Sequence, residues 1–192
     1  MVATPTKSLT LSEFLALPET KPASEFLDGK IIQKLMPKRK HSIIQSELCT
    51  AINQVAKPLK IAYAFPELRC TFGDRSLVPD LVVLEWQTIE FDPEGEPTDD
   101  VFVAPDWTIE ILSPNQSANP VIDKILHCLN HGTRLGWLID TSDRSILTFS
   151  PNQTPRLYAD EQPLPILDKL ILLITPIQIF SWLKLGQDQT SP

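Results

Sequence analysis

The chain of 192 residues carries 17 Lys and Arg against 24 Asp and Glu, a formal net charge of -7, and 42% of its residues are hydrophobic. This length and apolar content fit one globular domain with a hydrophobic core and leave little room for a second domain. The acidic balance excludes a broadly basic nucleic-acid-binding coat, so any phosphate contact must be local.

The three cysteines, Cys49, Cys70 and Cys128, form no closely spaced pair and leave one unmatched. Neither a disulfide framework nor a zinc site is expected, and a reducing cytoplasm fits best. No segment has the apolar run of a signal peptide or the roughly 20 apolar residues of a membrane span. We expect a soluble single domain over residues 9–185, with flexible ends at 1–8 and 186–192.

The first elements predicted along the chain are a short helix and a hairpin. Thr10 or Ser12 suits the N-cap of a helix that ends near Pro18. Residues 25–35 predict two strands around Asp28-Gly29, a dipeptide that tolerates the positive φ angles of a tight turn. Glu25 opens the first strand, and from its residue type alone a solvated position is expected.

The only dense basic run of the chain follows the hairpin and leads into an amphipathic helix. Its polar members are Lys34, Lys38, Arg39, Lys40 and His41. This run is the best candidate for nucleic-acid phosphate contact, although short charge runs are often solvated loops. His41 has the further alternative of capping or packing against the helix that it opens.

Strands are predicted over residues 61–65 and 68–72, and a turn at residues 73–76 leads into a strand over 78–85. A proline-containing acidic segment follows, and we treat residues 86–106 as a loop insertion. Two interpretations of it remain, a gate over a site and a flexible solvated excursion. We assign it no role in metal binding.

Two apolar strands each carry one carboxylate, at Asp80 in residues 78–85 and at Glu110 in residues 107–113. The two-residue period of a strand puts each carboxylate on one face with its apolar neighbours, so the two converge if the strands are adjacent. A carboxylate in so apolar a run is costly unless a cation meets it. A divalent metal ion or a structural ion pair would both satisfy this requirement.

A helix is predicted over residues 119–130, with Asn119 as N-cap and Pro120 in the first turn. Lys124 lies about one turn in, so that it can point back towards the strand carboxylates. His127, Cys128 and His131 share its face; these three potential metal ligands more often pack or face water than bind zinc.

The last third of the chain predicts further strands at residues 135–140, 146–149 and 170–174, with a hairpin turn at 141–144. Thr175-Pro176 then pairs an N-cap residue with a first-turn proline, which predicts a closing helix.

The order and spacing of several short segments resemble the Uma2-like (DUF820) family, which is numerous in cyanobacteria and belongs to the PD-(D/E)xK nuclease superfamily. The resemblance runs from about residue 11 to residue 182. The matching segments are Glu25-Phe26-Leu27-Asp28-Gly29-Lys30, His41, Val78-Pro79-Asp80, Ile109-Glu110-Ile111-Leu112-Ser113-Pro114, Asp123-Lys124 and Gly136-Trp137-Leu138-Ile139-Asp140.

The sequence departs from the family pattern in two places. The position two after Glu110, where the wider superfamily has its lysine, is Leu112; in the Uma2-like group this lysine is thought to have moved to the next helix, where this chain has Lys124. Family members often read Val-x-Glu-Tyr-Trp near residues 133–137, and this chain reads Thr-Arg-Leu-Gly-Trp. The second departure touches none of the proposed catalytic groups.

The resemblance implies a three-layer, restriction-endonuclease-like α/β fold with a mixed central sheet between the His41 helix and the Lys124 helix. It also implies a metal-dependent endonuclease that hydrolyses the phosphodiester bonds of nucleic acid, with DNA as the expected substrate. A homodimer is a further expectation from the family. Asp80 and Glu110 would hold Mg²⁺ or Mn²⁺, while Lys124 would assist at the phosphate. Glu25 becomes a second-rank catalytic candidate.

Two readings from other functional classes remain open. A nuclease-like fold that no longer cuts would serve as a nucleic-acid or protein interaction module, and the acidic composition favours this reading. A structural or assembly domain would fit if the basic run were buried in a dimer contact. The complete set of Asp80, Glu110 and Lys124 favours the enzyme.

Overall fold

The computed structural model describes residues 9–114 and 116–186, and the predictions for residues 1–8 and 187–192 lie outside this part of the chain. The elements of the described part follow in the order α1 (Leu11–Leu15), β1 (Ser24–Leu27), β2 (Lys30–Gln33), α2 (Arg39–Ala56), β3 (Ala62–Pro66), β4 (Cys70–Phe72), β5 (Arg75–Leu77), β6 (Leu81–Glu85), β7 (Trp107–Leu112), α3 (Ala118–Asn130), β8 (Leu135–Asp140), β9 (Ser145–Phe149), β10 (Arg156–Tyr158) and α4 (Pro176–Ser181).

The strands form two sheets. The larger has the order β10-β9-β8-β7-β6-β3, and it is mixed because β7 and β8 run parallel while the other neighbours are antiparallel. The smaller sheet, β2-β1-β5-β4, is antiparallel throughout. The β7–α3–β8 unit is therefore a crossover connection, which a parallel pair requires.

Alternation along the central strands separates two apolar clusters. Trp107, Ile109 and Ile111 pack in the cluster that contains the buried face of α2, whereas Leu112 packs in the cluster that contains Val121 and its neighbours on α3. Odd-numbered residues of β7 thus face α2 and even-numbered ones face α3. The predicted three-layer α/β fold with a mixed central sheet is confirmed.

The strand following the 73–76 turn does not continue directly into the central sheet, as the sequence suggested. Instead Arg75–Leu77 forms a hairpin with β4 inside the small sheet, and the central strand begins only at Leu81. Residues 78–80 cross from one sheet to the other. This crossing places Asp80 immediately before the first residue of β6. The small sheet places β1 in the same region.

Several element ends differ from the sequence prediction. Thr10 caps α1 in a reciprocal capping box with Glu13, as its residue type indicated. The N-cap of α3 is Ser117 rather than Asn119, so that Pro120 lies at the third helical position. This position is permitted because the first-turn N–H groups have no intrahelical acceptor.

The prediction of a strand over residues 170–174 is wrong. The segment shows strand-like alternation, since Leu170 and Ile174 are buried while Ile171 is 84% exposed, but it is not part of either described sheet. Its backbone is linked to neighbouring residues at both ends: Leu170 N–H donates to the Leu167 carbonyl at 3.2 Å, and Leu164 N–H donates to the Ile174 carbonyl at 3.0 Å. The periodic pattern therefore reports one-sided burial rather than strand pairing.

The acidic segment of residues 86–106 is folded against the small sheet. Val101 forms a bridge with Cys70, and its carbonyl accepts the Thr71 N–H at 2.9 Å. Its apolar residues pack beside Leu84, and a cavity of about 230 Å³ lies beneath it. The residues that line this cavity are separate from the candidate site described below.

All three cysteines are free thiols. Within residues 9–114 and 116–186, no helix is both long and apolar enough to cross a membrane.

Replacing Gly136 on β8 with alanine should destabilise the domain by about 1–3 kcal/mol, because the added Cβ would overlap the Ile125 side chain of α3. Urea unfolding measures the change. Gly186→Ala is the control, since no atom lies within 4 Å of its added Cβ. Equal stability of both variants would show that α3 shifts freely on the sheet.

Candidate active site

Asp80 is the centre of the site, and its position follows from strand pairing. In the register of β6 and β7, Leu81 lies opposite Ile109, so continuing by one residue sets Asp80 opposite Glu110. Asp80 lies just before β6, and its side chain continues the hydrogen bonding to β7: its Oδ2 accepts the Ile111 N–H at 2.8 Å. The predicted convergence of the two carboxylates is what this register produces.

Glu110 lies in the middle of β7 on the α3 side of the sheet and is 4% exposed. Burial raises its pKa, and the attraction of Lys124 only partly offsets this effect. Repulsion from Asp80 and Glu25 raises it further, so that the pKa of Glu110 reaches about 7. This carboxyl group therefore titrates near neutrality, well above an exposed glutamate.

Glu25 is buried, and the solvated position expected from its residue type alone is wrong. Its Oε1 accepts the Val78 N–H at 2.9 Å, which ties β1 to the segment that leads into Asp80. Both of its oxygens lie 3.2 Å from the Lys124 ammonium. The small sheet thus contributes a third carboxylate to the site.

Lys124 reaches the carboxylates from α3, as the helix spacing predicted. Its Nζ lies 2.9 Å from Glu110 Oε1 and contacts Glu25 from the same position. Burial alone would lower the pKa of Lys124, but the charges of Glu110 and Glu25 outweigh it and raise the pKa above the ordinary value. Lys124 is a fixed cation here and not a general base.

Lys34 and His41, which the sequence predicts as nucleic-acid contacts, both lie on Asp80 in the structure. Lys34 Nζ is 2.7 Å from Asp80 Oδ1, and His41 Nε2 is 3.0 Å from Asp80 Oδ2. Burial opposes ionisation of Asp80, but the His41 hydrogen bond and the Lys34 charge outweigh it and hold the pKa of Asp80 below its usual range. Asp80 is therefore a carboxylate at neutral pH.

Lys38, Arg39 and Lys40 are exposed around the N-terminus of α2. They line an open depression together with His41, Leu112, Pro114 and Thr141. His41 also lines the cavity that contains Asp80 and Glu110, so the basic run lies next to the carboxylates.

Sequence reasoning missed Gln45, whose Nε2 donates to the Asp80 main-chain carbonyl at 2.7 Å. It lies one helical turn after His41 on α2, and this i,i+4 spacing was the available signal. Two side chains of one helix face thus hold the same residue, one on its carboxylate and one on its backbone.

The site residues surround a cavity of about 100 Å³. Three buried carboxylates, Glu25, Asp80 and Glu110, face the buried Lys124 and the partly buried Lys34. Each carboxylate contacts one of the two lysines, and Glu25 and Glu110 share Lys124.

The histidines of α3 take part in packing. His127 and His131 lie against the Phe72 ring, with centroids 5.1 and 5.5 Å away, and Cys128 is buried. Across residues 9–114 and 116–186, no group of three or more His, Cys, Asp or Glu side chains is arranged to hold a metal ion. The alternative of a zinc cluster on this helix is not borne out by its geometry.

The fold and this combination of buried acidic and lysine side chains define an α/β domain of the restriction-endonuclease-like class. Among solved structures, a protein from Anabaena variabilis described as "a putative nuclease belonging to DUF820" is 50% identical, with a TM-score of 0.89 over 91% of this chain and 99% of that chain. The family Uma2, described as "Putative restriction endonuclease", matches residues 11–181. No curated protein matches the sequence. The chain belongs to the Uma2 family.

Between about pH 4.5 and 7, the free energy of unfolding of the wild-type protein should fall relative to that of Glu110→Gln. The raised pKa makes the native state hold a proton on Glu110 that the unfolded chain has already released, so this contribution to stability is lost as pH rises. Urea unfolding of both proteins at several pH values, without added metal, measures the difference. A pH-independent difference would show that Glu110 has an ordinary pKa.

Proposed function

We propose that this protein is a metal-dependent endonuclease that hydrolyses phosphodiester bonds of nucleic acid, with DNA as the substrate. The observation that carries the proposal is that Asp80, which immediately precedes β6, Glu110 of β7 and Lys124 of α3 line one cavity. Family membership supports a nuclease role for a site of this composition.

Asp80 and Glu110 fit a divalent cation by the chemistry of their donor atoms. Mg²⁺ prefers hard oxygen ligands and is commonly held by only one or two carboxylates, with water and substrate phosphate completing its coordination. Two buried carboxylates on adjacent strands provide this minimum, and a main-chain carbonyl of β7 would add a further oxygen. Burial is the largest cause of the raised pKa of Glu110, and repulsion from Asp80 and Glu25 adds to it, so a nearby cation would favour the charged carboxylate.

When bound, Mg²⁺ or Mn²⁺ would polarise a phosphoryl oxygen and lower the pKa of a coordinated water. Lys124 would stabilise negative charge that builds on the phosphate, since its ammonium is positioned by two carboxylates before substrate arrives. Glu25 would hold Lys124 in place and accept a hydrogen bond from water in the cavity.

The exposed basic run would contact the backbone of the nucleic acid. Lys38, Arg39 and Lys40 lie at the N-terminus of α2, where the helix dipole adds partial positive charge and the first turn contains no acidic residue. They adjoin the carboxylate cavity through His41. Phosphate contacts here would compensate locally for the acidic net charge of the chain.

The proposal includes a homodimer and a location in the cytoplasm. The homodimer rests on the family resemblance, and the cytoplasmic location is supported by the three free thiols.

Asp80→Asn should weaken Mn²⁺ binding by at least about 100-fold, since changing a residue that merely orients a metal ligand typically costs about 10- to 100-fold. Calorimetric titration measures binding, and conversion of supercoiled plasmid to nicked circles measures cleavage. Both should be lost in the variant. Asp99→Asn, in the exposed acidic segment, is the charge-matched control and should behave as wild type.

The ion pairs of Asp80 with Lys34 and of Glu110 with Lys124 also favour a second function, an interaction module that has no need of metal. The interaction module is distinguished from the nuclease if the wild-type protein binds DNA but neither binds Mn²⁺ nor nicks plasmid. Metal binding and nicking that both depend on Asp80 would exclude it.

Arg39→Ala and Lys40→Ala should each weaken DNA binding at low salt and reduce the slope of log affinity against log salt by about 1. Fluorescence anisotropy with a labelled duplex at several salt concentrations measures both effects. Lys30→Ala on β2 removes an exposed cation outside the run and should change neither. If the slope of log affinity against log salt were unchanged in Arg39→Ala and Lys40→Ala, the DNA would not contact this basic run.

A further inference from the structure

The two oxygens of Asp80 have different partners. Oδ2 is fixed by the Ile111 N–H at 2.8 Å and by His41 at 3.0 Å, so it is held by a strand and a helix of the core. Among residues 9–114 and 116–186, the hydrogen-bond partner of Oδ1 is Lys34, at 2.7 Å. Removing Lys34 would therefore free Oδ1 while the rest of the carboxylate stayed in place.

The Lys34 ammonium lies in a position suited to a cation. It donates to the Val78 main-chain carbonyl at 2.7 Å as well as to Asp80 Oδ1, so two hard oxygens converge on it. One is anionic and the other neutral, a combination typical of Mg²⁺ and Ca²⁺ sites. A divalent ion bound to the same oxygen would repel the ammonium, so the two cations exclude each other.

The two lysines of the site differ in how firmly the fold holds them. Lys124 projects from α3, packed on the central sheet, and contacts two carboxylates. Lys34 follows β2, the edge strand of the small sheet, whose four residues are all exposed. Moving Lys34 away from Asp80 therefore involves the end of an exposed edge strand, whereas moving Lys124 involves a helix packed on the central sheet.

We propose that Lys34 is an exchangeable counter-ion of Asp80, which a divalent cation displaces and which then becomes available to a substrate phosphate. This inference rests on the proposed function and deepens it, because it gives Asp80 a counter-ion of its own until metal binds. The released ammonium would join the exposed basic run of Lys38, Arg39 and Lys40 at the same side of the cavity. Lys34 would thereby couple metal loading to phosphate contact.

Calorimetric titration of Mn²⁺ into wild type, Lys34→Met and Lys30→Met tests the exchange. Methionine keeps much of the apolar stem and removes the charge, and Lys30 lies exposed on the same hairpin. Lys34→Met should bind Mn²⁺ at least about tenfold more tightly than wild type, the equivalent of about 1.4 kcal/mol. Lys30→Met should bind as wild type does.

The outcomes separate this inference from the proposed function. Unchanged or weaker binding by Lys34→Met, with binding by wild type, would overturn the exchange alone. Binding by Lys34→Met without binding by wild type would show that Lys34 blocks the cation and is not displaced by it, which would overturn the exchange and contradict a metal-dependent wild-type enzyme. Failure of both folded proteins to bind Mn²⁺ would overturn both.

A second measurement uses the wild-type protein and does not depend on the folding of a variant. Acetylation of individual lysines by a soluble ester, followed by mass spectrometry, should label Lys34 slowly without metal, because its side chain is only 12% exposed and its ammonium is ion-paired with Asp80. Saturating Mn²⁺ should accelerate labelling of Lys34 severalfold and leave Lys124 protected. Equal labelling of Lys34 with and without saturating Mn²⁺ would overturn the proposal.

Discussion

The burial of three carboxylates around one cavity is the constraint on which the rest of this structure depends. An isolated buried carboxylate costs several kcal/mol, and breaking a buried ion pair commonly costs about 3–5 kcal/mol. Glu25, Asp80 and Glu110 therefore require Lys34 and Lys124 in contact with them. This requirement explains why five separate segments of the chain, including an edge hairpin and a crossover helix, must meet at one end of β6 and β7.

The same constraint explains how an acidic chain can present a site for a polyanion. Its excess negative charge is spread over exposed segments such as residues 86–106, which pack away from the cavity, while the exposed cations adjoining the cavity are concentrated at the start of α2. Screening limits interactions between exposed charges to about 8–10 Å at physiological salt. Local composition near the cavity therefore matters more for phosphate binding than the net charge of -7.

Leu112 and Lys124 show how a lysine can be supplied from a different element. Leu112 points to the α3 side of the sheet, as Glu110 does, and packs with Val121 and Ile125 of that helix. The helix thus lies close enough to the strand for a lysine on it to reach the carboxylate of Glu110, at 2.9 Å. The apolar Leu112 improves the packing of α3 on the strand, and α3 itself supplies the charged side chain, Lys124.

Local sequence patterns by themselves determined β3 and the strands β6 to β9 of the central sheet, the amphipathic helices α2 and α3, and the presence of Asp80, Glu110 and Lys124 on faces that converge. These features follow from periods of 2 and 3.6 residues, which are local properties. The sequence misjudged the exposure of Glu25 and the 170–174 segment, and it predicted neither β10 nor the contacts of Lys34 and His41 with Asp80. Only the tertiary structure decided these, because burial and ion pairing depend on contacts between distant segments: Lys34 and Asp80 are 46 positions apart, and Lys124 and Glu25 are 99 apart. The residue period of one strand or helix carries no information about which charged side chain of a distant element will contact it.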